Sequence, residues 1–152
     1  SDARAYCAYM GKVLPSSEQW EKALRGGLTL ADGARNPYPA RNLPWGAPRT
    51  GTLAKLNDAP RVGPAAVGTF SDDVSPDGVL DLAGNVSEWT LSVPSDGEQA
   101  FRVLRGGNWY ETSHADLVDF MAIENPRPVN ATVYSIGLRC ATPPESRPSS
   151  SR

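Results

Sequence analysis

The chain has 152 residues, a length that suits one domain around a single core. Its apolar fraction of 39% and mean hydropathy of -0.40 describe a soluble fold poor in large hydrophobes, with no run long enough to cross a bilayer. The formal net charge of -2 gives no reason to expect nucleic acid or an anionic membrane as partner. Glycine and proline number 14 each and are scattered, which predicts many turns and little long regular structure.

Taken in order, "SDARAYCAYMG" reads as a short helix. Ser1 or Asp2 caps it, Ala3, Tyr6, Cys7 and Met10 form one stripe, and Gly11 ends it. Ser1 opens directly into this stretch, so an export signal ahead of it, and with it the compartment, stay open. "LPSSEQWEKALRGG" is a stronger helix. Ser16 and Gln19 make a capping box, Trp20, Ala23 and Leu24 share a face, and Gly26 and Gly27 stop it. From Leu28 to Asp77 the chain is irregular and proline-rich, and only "AAVGTF" has strand character. A stretch of that length needs tying down, by ions or by side chains such as Trp45.

Beyond Gly84, "NVSEWTL" and "AFRVLRGGNWY" read as strands, the second broken by a glycine pair. "VDFMAIE" is expected as a third strand and "SIGLRCA" as a fourth. The tail from residue 143 to 152 is a polar Pro/Ser-rich segment expected to be disordered. Helices, then loops, then strands predict an α+β fold with a small antiparallel sheet.

Three features could carry chemistry. Asp81 and Glu88 flank a Gly-Asn turn in "LDLAGNVSEWT", and either brace that turn or converge on a cation. Cys7 and Cys140 are the only cysteines, near opposite ends, and are either a disulfide or two buried thiols. Glu111, His114 and Asp116 form a polar cluster around the only histidine, with a spacing that fits no recognised metal pattern. Trp20, Trp45, Trp89 and Trp109 are expected as core pillars. Arg102 and Arg105 flank Val103 and Leu104 on a predicted strand, and either Arg105, with Arg139 as second candidate, neutralises a buried carboxylate or the two are solvated strand positions. "NAT" at Asn130 matches a glycosylation sequon short enough to arise by chance.

Four strings, "AYCAYMGKVLPSSEQWEKALRGG", "LDLAGNVSEWT", "RVLRGGNWY" and "IGLRCA", resemble in order the C-terminal part of the formylglycine-generating enzyme (sulfatase-modifying factor) domain, from about Ala3 to Ala141. The resemblance implies a variant of the C-type lectin fold over residues 1–142, N-terminally incomplete. It places calcium ligands on Asp81, Gly84, Val86 and Glu88, and a disulfide between Cys7 and Cys140. A second family disulfide falls on Leu24 and Met121, which are then expected to pack against one another. The family's other calcium site should lie around Ala54 to Val67, where Asn57 and Asp58 do not register, and it is not expected here.

The two copper-holding cysteines of the enzyme fall on Glu111 and Asp116, so copper is not expected. Iron, held by histidines in related sulfoxide synthases, is not expected from a lone His114. The function implied is a catalytically silent, calcium-stabilised binding or scaffold module. Its surface would include Trp109, Tyr110, Glu111, His114 and Asp116, and its partner would be an unidentified protein or peptide. Two alternatives stand beside it. One is a metal-dependent oxidoreductase of the superfamily, or the substrate-binding half of one; the other is a diversified lectin-like receptor. In bacteria, silent members of this kind are often attached to further domains. An exported or periplasmic location follows if the disulfide forms, and a cytoplasmic one otherwise.

Overall fold

The computed structural model describes residues 2–47, 51–59 and 62–143. Ser1, the other candidate cap of the first helix, and the tail from residue 144 lie outside them. The described chain is an α+β fold with three short helices and one four-stranded sheet.

Helix α1 (Asp2–Tyr9) buries Ala3 and Cys7, but the expected stripe holds only in part. Tyr6 and Met10 are half exposed and Tyr9 stands in solvent. Eight residues make little more than two turns, so only the line through Ala3 and Cys7 meets the core. Helix α2 (Ser17–Arg25) is bounded as its sequence dictates. Ser16 and Gln19 exchange side chain and backbone bonds in a capping box, and Gly26 at φ 76° closes the last turn onto the Lys22 carbonyl. Trp20 and Leu24 are its buried face.

The sheet is built from β1 (Ser87–Trp89), β2 (Phe101–Arg105), β3 (Asn125–Pro128) and β4 (Ile136–Gly137), in the spatial order β3-β2-β1-β4. Three strands are antiparallel neighbours, whereas β4 joins β1 in parallel. Trp89 sits opposite Leu104 on one face, and Glu88 opposite Arg105 on the other, as a period of two requires. "AAVGTF" forms turns rather than a strand.

Residues 117–122 overturn the expectation of a third strand there. They form helix α3 (Leu117–Ala122), whose Leu117 and Met121, four apart, are both buried. The third strand is instead Asn125–Pro128, which carries two prolines. Proline is tolerated there because β3 is an edge strand, with β2 on one side only.

Two apolar clusters flank the sheet. One joins Trp20 and Leu24 to Leu43, Leu56, Leu82 and Met121, so Leu24 and Met121 share a core. The other joins Ala3, Cys7 and Leu14 to Trp89 and Leu104. Cys7 and Cys140 are bonded, with Cα atoms 5.5 Å apart, and stitch α1 to the chain just beyond β4. The irregular stretch is held by Leu43, Ala54 and Leu56 in the first cluster and by half-buried Trp45 against it. Asn36, fully sequestered, donates to the carbonyls of Arg25 and Gly27 at 2.6 Å each.

Candidate functional site

The turn from Asp81 to Glu88 is fixed from three sides. Asp81 and Asn85 adopt positive φ values of 55° and 69°, a conformation in which Asp and Asn are among the few residues tolerated. Beneath the turn, Asp73 accepts hydrogen bonds from the backbone of Ala83 and Gly84. Asn85 exchanges two bonds with the backbone of Ala65, and Asp81 Oδ2 accepts from the Gly68 amide at 2.7 Å.

Gly84 is required by contact rather than by φ. A Cβ there would sit 2.6 Å from the Lys55 carbonyl oxygen. The obstacle is backbone, so Gly84→Ala is expected to cost about 3 kcal/mol, the upper end of overpacking penalties, measured by urea denaturation.

At the end of the turn, Glu88 is buried and both of its oxygens are engaged. Arg139 Nε donates to Oε2 at 2.6 Å and Nη2 to Oε1 at 2.8 Å, while the Trp20 indole donates to Oε2 at 2.7 Å. Arg139 also reaches the carbonyls of Leu80 and Asp81. Burial pulls the Arg139 pKa down, but the charge and hydrogen bonds of Glu88 outweigh it and hold it above its ordinary value. Arg139, the second candidate, is thus the residue that neutralises the buried carboxylate. Arg105 takes another place, over the Trp20 ring and 3.2 Å from Glu21.

Asp81, Val86, Glu88 and Arg139 line a cavity of about 310 Å³. Three carboxylates, Asp73, Asp81 and Glu88, act on the Arg139 guanidinium in this neighbourhood. Its donor set of two carboxylates and nearby carbonyls has the hard oxygen chemistry that calcium prefers. Among the described residues no three Asp, Glu, His or Cys side chains converge as a metal centre, so an ion here would depend on carbonyl oxygens.

Asp73 reports on the same charge. Burial pushes its carboxyl up to about 7, aided by Asp81 and opposed by the amides that it accepts from. An unfolded Asp ionises near 3.8, so between that value and about 7 the folded state holds the extra proton. Stability therefore falls as pH rises through that window and is level above it. Urea titrations at about pH 5 and about pH 8 are expected to show this loss in the native chain and to show it removed in Asp73→Asn.

A second candidate surface begins at Trp109, whose backbone N–H donates to the Asn85 carbonyl of the turn. Trp109, Tyr110 and Tyr134 stack on one another with ring centroids 5.2–5.6 Å apart. With Asn57, Ala59 and Val62 they line an open groove of about 710 Å³. The Trp109 indole N–H is buried with no hydrogen-bond partner among the described residues. The rings touch each other, so they form a patch rather than a cage around a cation.

The polar residues expected beside this patch do not converge. Glu111 lies 3.3 Å from the Asn108 amide and 3.5 Å from Arg127. His114 turns to Asp58, Nδ1 to Oδ1 at 2.5 Å, and Asp116 accepts from Ser113 at 2.5 Å. Burial works upward on the Asp58 carboxyl, but the hydrogen bonds and charge of His114 prevail and hold it below its usual range. The cluster read from sequence spacing is therefore three separate contacts. Asp73 and Tyr134 are residues that sequence reasoning did not single out, and Asp58 was weighed only for a second calcium site, not as the partner of His114. Each meets its partner across a long stretch of chain or from beneath a turn, with no local signal.

Residues 1–143 match the family model described as the sulfatase-modifying factor enzyme 1-like domain. The bovine protein named inactive C-alpha-formylglycine-generating enzyme 2 is 37% identical over 154 residues, covering 93% of this chain and 48% of that protein. The hercynine oxygenase of Mycobacterium tuberculosis is 35% identical over 125 residues, covering 71% of this chain and 28% of that protein. Among solved structures, Treponema denticola variable protein 1 superposes with a TM-score of 0.60 at 22% identity, over 88% of this chain and 49% of that one, a likeness of fold alone. The chain thus spans about half the length of these relatives or less. With a family match over nearly its whole length, the chain belongs to the sulfatase-modifying factor (formylglycine-generating enzyme) family.

Proposed function

We propose that this domain is a catalytically silent member of its family, a calcium-stabilised scaffold that presents the Trp109 patch to a protein or peptide partner. The observation that carries the reading is the fate of the cysteines. The chain has two, and they are bonded to each other, which leaves no thiolate to hold Cu(I). The positions that resemble the enzyme's copper ligands are Glu111 and Asp116, carboxylates with other partners. Calcium would rest on Asp81 and Glu88 with the carbonyls of Gly84 and Val86, where it would neutralise charge and rigidify the turn. The disulfide favours an oxidising compartment. Net charge of -2 and the lack, among the described residues, of a helix able to cross a membrane favour a polypeptide partner over nucleic acid or lipid.

A second reading, an oxidoreductase or the substrate-binding half of one, draws on the likeness to a hercynine oxygenase. Metal analysis with and without chelator, joined to oxygen uptake with cysteine-bearing peptides, separates the two. Stoichiometric calcium and no formylglycine are expected. Stoichiometric copper or iron with oxygen consumption would overturn the silent reading.

A further inference from the structure

Strand β2 alternates, so Arg102 shares a face with Leu104, the face on which α1 packs. Its partner across the antiparallel pair is Arg127 of β3, and like charges placed directly opposite repel. Arg127 has Glu111 at 3.5 Å to answer its charge. Among the described residues, neither Arg102 nor Arg4 of α1 has a carboxylate at ion-pair distance. Both line one cavity of about 220 Å³, whose other walls are Leu14, Thr90, Leu91 and Val129. That cavity shares no lining residue with the Trp109 groove or with the cavity at Glu88. Arg102 is held in place by one end of its guanidinium: Nη1 donates to the carbonyls of Gln99 at 2.9 Å and Phe101 at 2.7 Å. Its Nε and Nη2 have no hydrogen-bond partner among the described residues, and these are the two nitrogens with which Arg139 grips Glu88. A carboxylate fits such a fork with two parallel bonds.

We propose that this cavity binds a small organic anion, a carboxylate carried on a compact apolar body. The carboxylate lies in the free fork of Arg102 with Arg4 as the second positive charge, and the apolar body rests on Leu14, Leu91 and Val129. Each half of the lining narrows the choice. Two uncompensated guanidiniums at one concavity repel each other, and an anion between them removes that cost. A bare inorganic anion would leave the leucine and valine walls wet, whereas a neutral apolar molecule would leave the fork unused. The pre-set guanidinium plane favours a flat carboxylate, because Nη1 is already tethered and little rotamer freedom is left to lose. The site is independent of the turn at Glu88 and of the Trp109 patch, so it stands whether or not calcium binds.

The test titrates the full 152-residue chain with benzoate and follows its backbone amide shifts by NMR. Saturable shifts centred on α1, residues 90–91 and 101–103 and Val129 are expected. Benzamide, the uncharged twin of the probe, and inorganic phosphate should each bind at least about tenfold more weakly. Arg102→Gln is expected to weaken benzoate about tenfold. Arg102→Lys, which keeps the charge and loses the fork, should weaken it nearly as much, and Lys12→Gln, outside the cavity, not at all. The spectrum of each variant shows whether it is folded, and Arg4→Gln repeats the test on a different element should Arg102→Gln unfold. Benzoate shifts that never saturate overturn the proposal. So does benzamide or phosphate binding as tightly as benzoate, an equal loss in Lys12→Gln, or native affinity in folded Arg102 or Arg4 variants.

Discussion

Replacing Cys7 and Cys140 together by serine is expected to lower the unfolding free energy by about 4–5 kcal/mol, most of the stability of an ordinary small domain. The two sulfurs join residues separated by 133 positions, so the bond closes nearly the whole chain. In the loop-entropy account, an unfolded chain without the bond gains the freedom of that entire loop, and the cost grows with the logarithm of its length. The location adds to this. Cys7, on α1, is fully buried within the second core cluster, while Cys140 follows β4, whose own sheet contact is only two residues long. Without the bond, the chain end is left to the Val13–Ala141 bridge, the Arg139 contacts with Glu88, Leu80 and Asp81, and the cluster itself. Urea denaturation of the double serine variant, beside the native chain in oxidising and reducing buffer, checks the figure. A loss under about 1 kcal/mol would mean that packing alone fixes this end.

Local grammar was legible and long-range pairing was not. The capping box of α2 is written in residues three apart, and it forms as read. The family strings placed the sheet's two central strands, because alternation and glycine positions survive substitution. "VDFMAIE" misled because its apolar residues suit a strand as well as a helix. The deciding contact, Leu117 with Met121 in the first core cluster, depends on partners far away in sequence. β3 was unreadable for the opposite reason, since two prolines hide a strand that only an edge permits. At the candidate sites, Asp81 and Glu88 stood out by their flanking of a Gly-Asn turn. The His114 contact did not, because Asp58 is 56 residues away and the spacing around His114 suggested Glu111 and Asp116 instead.

Arg139→Ala is expected to cost about 3–5 kcal/mol, because it leaves the Glu88 carboxylate buried with its charge uncompensated. Glu88 is only 5% exposed, and water cannot replace what the guanidinium gives it. The indole of Trp20 remains as one donor to Oε2, but a neutral N–H does not balance a full charge. The Leu80 and Asp81 carbonyls lose a donor as well. Glu88→Gln tests the cause: with the charge gone, most of the penalty of removing Arg139 should vanish, so the double variant is expected to be far more stable than the two single losses added together. Calcium supplies the sharper test. If Asp81 and Glu88 can take a cation, millimolar calcium should restore part of the stability lost in Arg139→Ala and much less in the native chain. Magnesium, which dehydrates reluctantly and demands a stricter octahedron, should do so poorly. A variant as unstable with calcium as without it would show that the oxygens at this turn serve Arg139 alone, and the scaffold would then stand on its salt bridge and disulfide rather than on an ion.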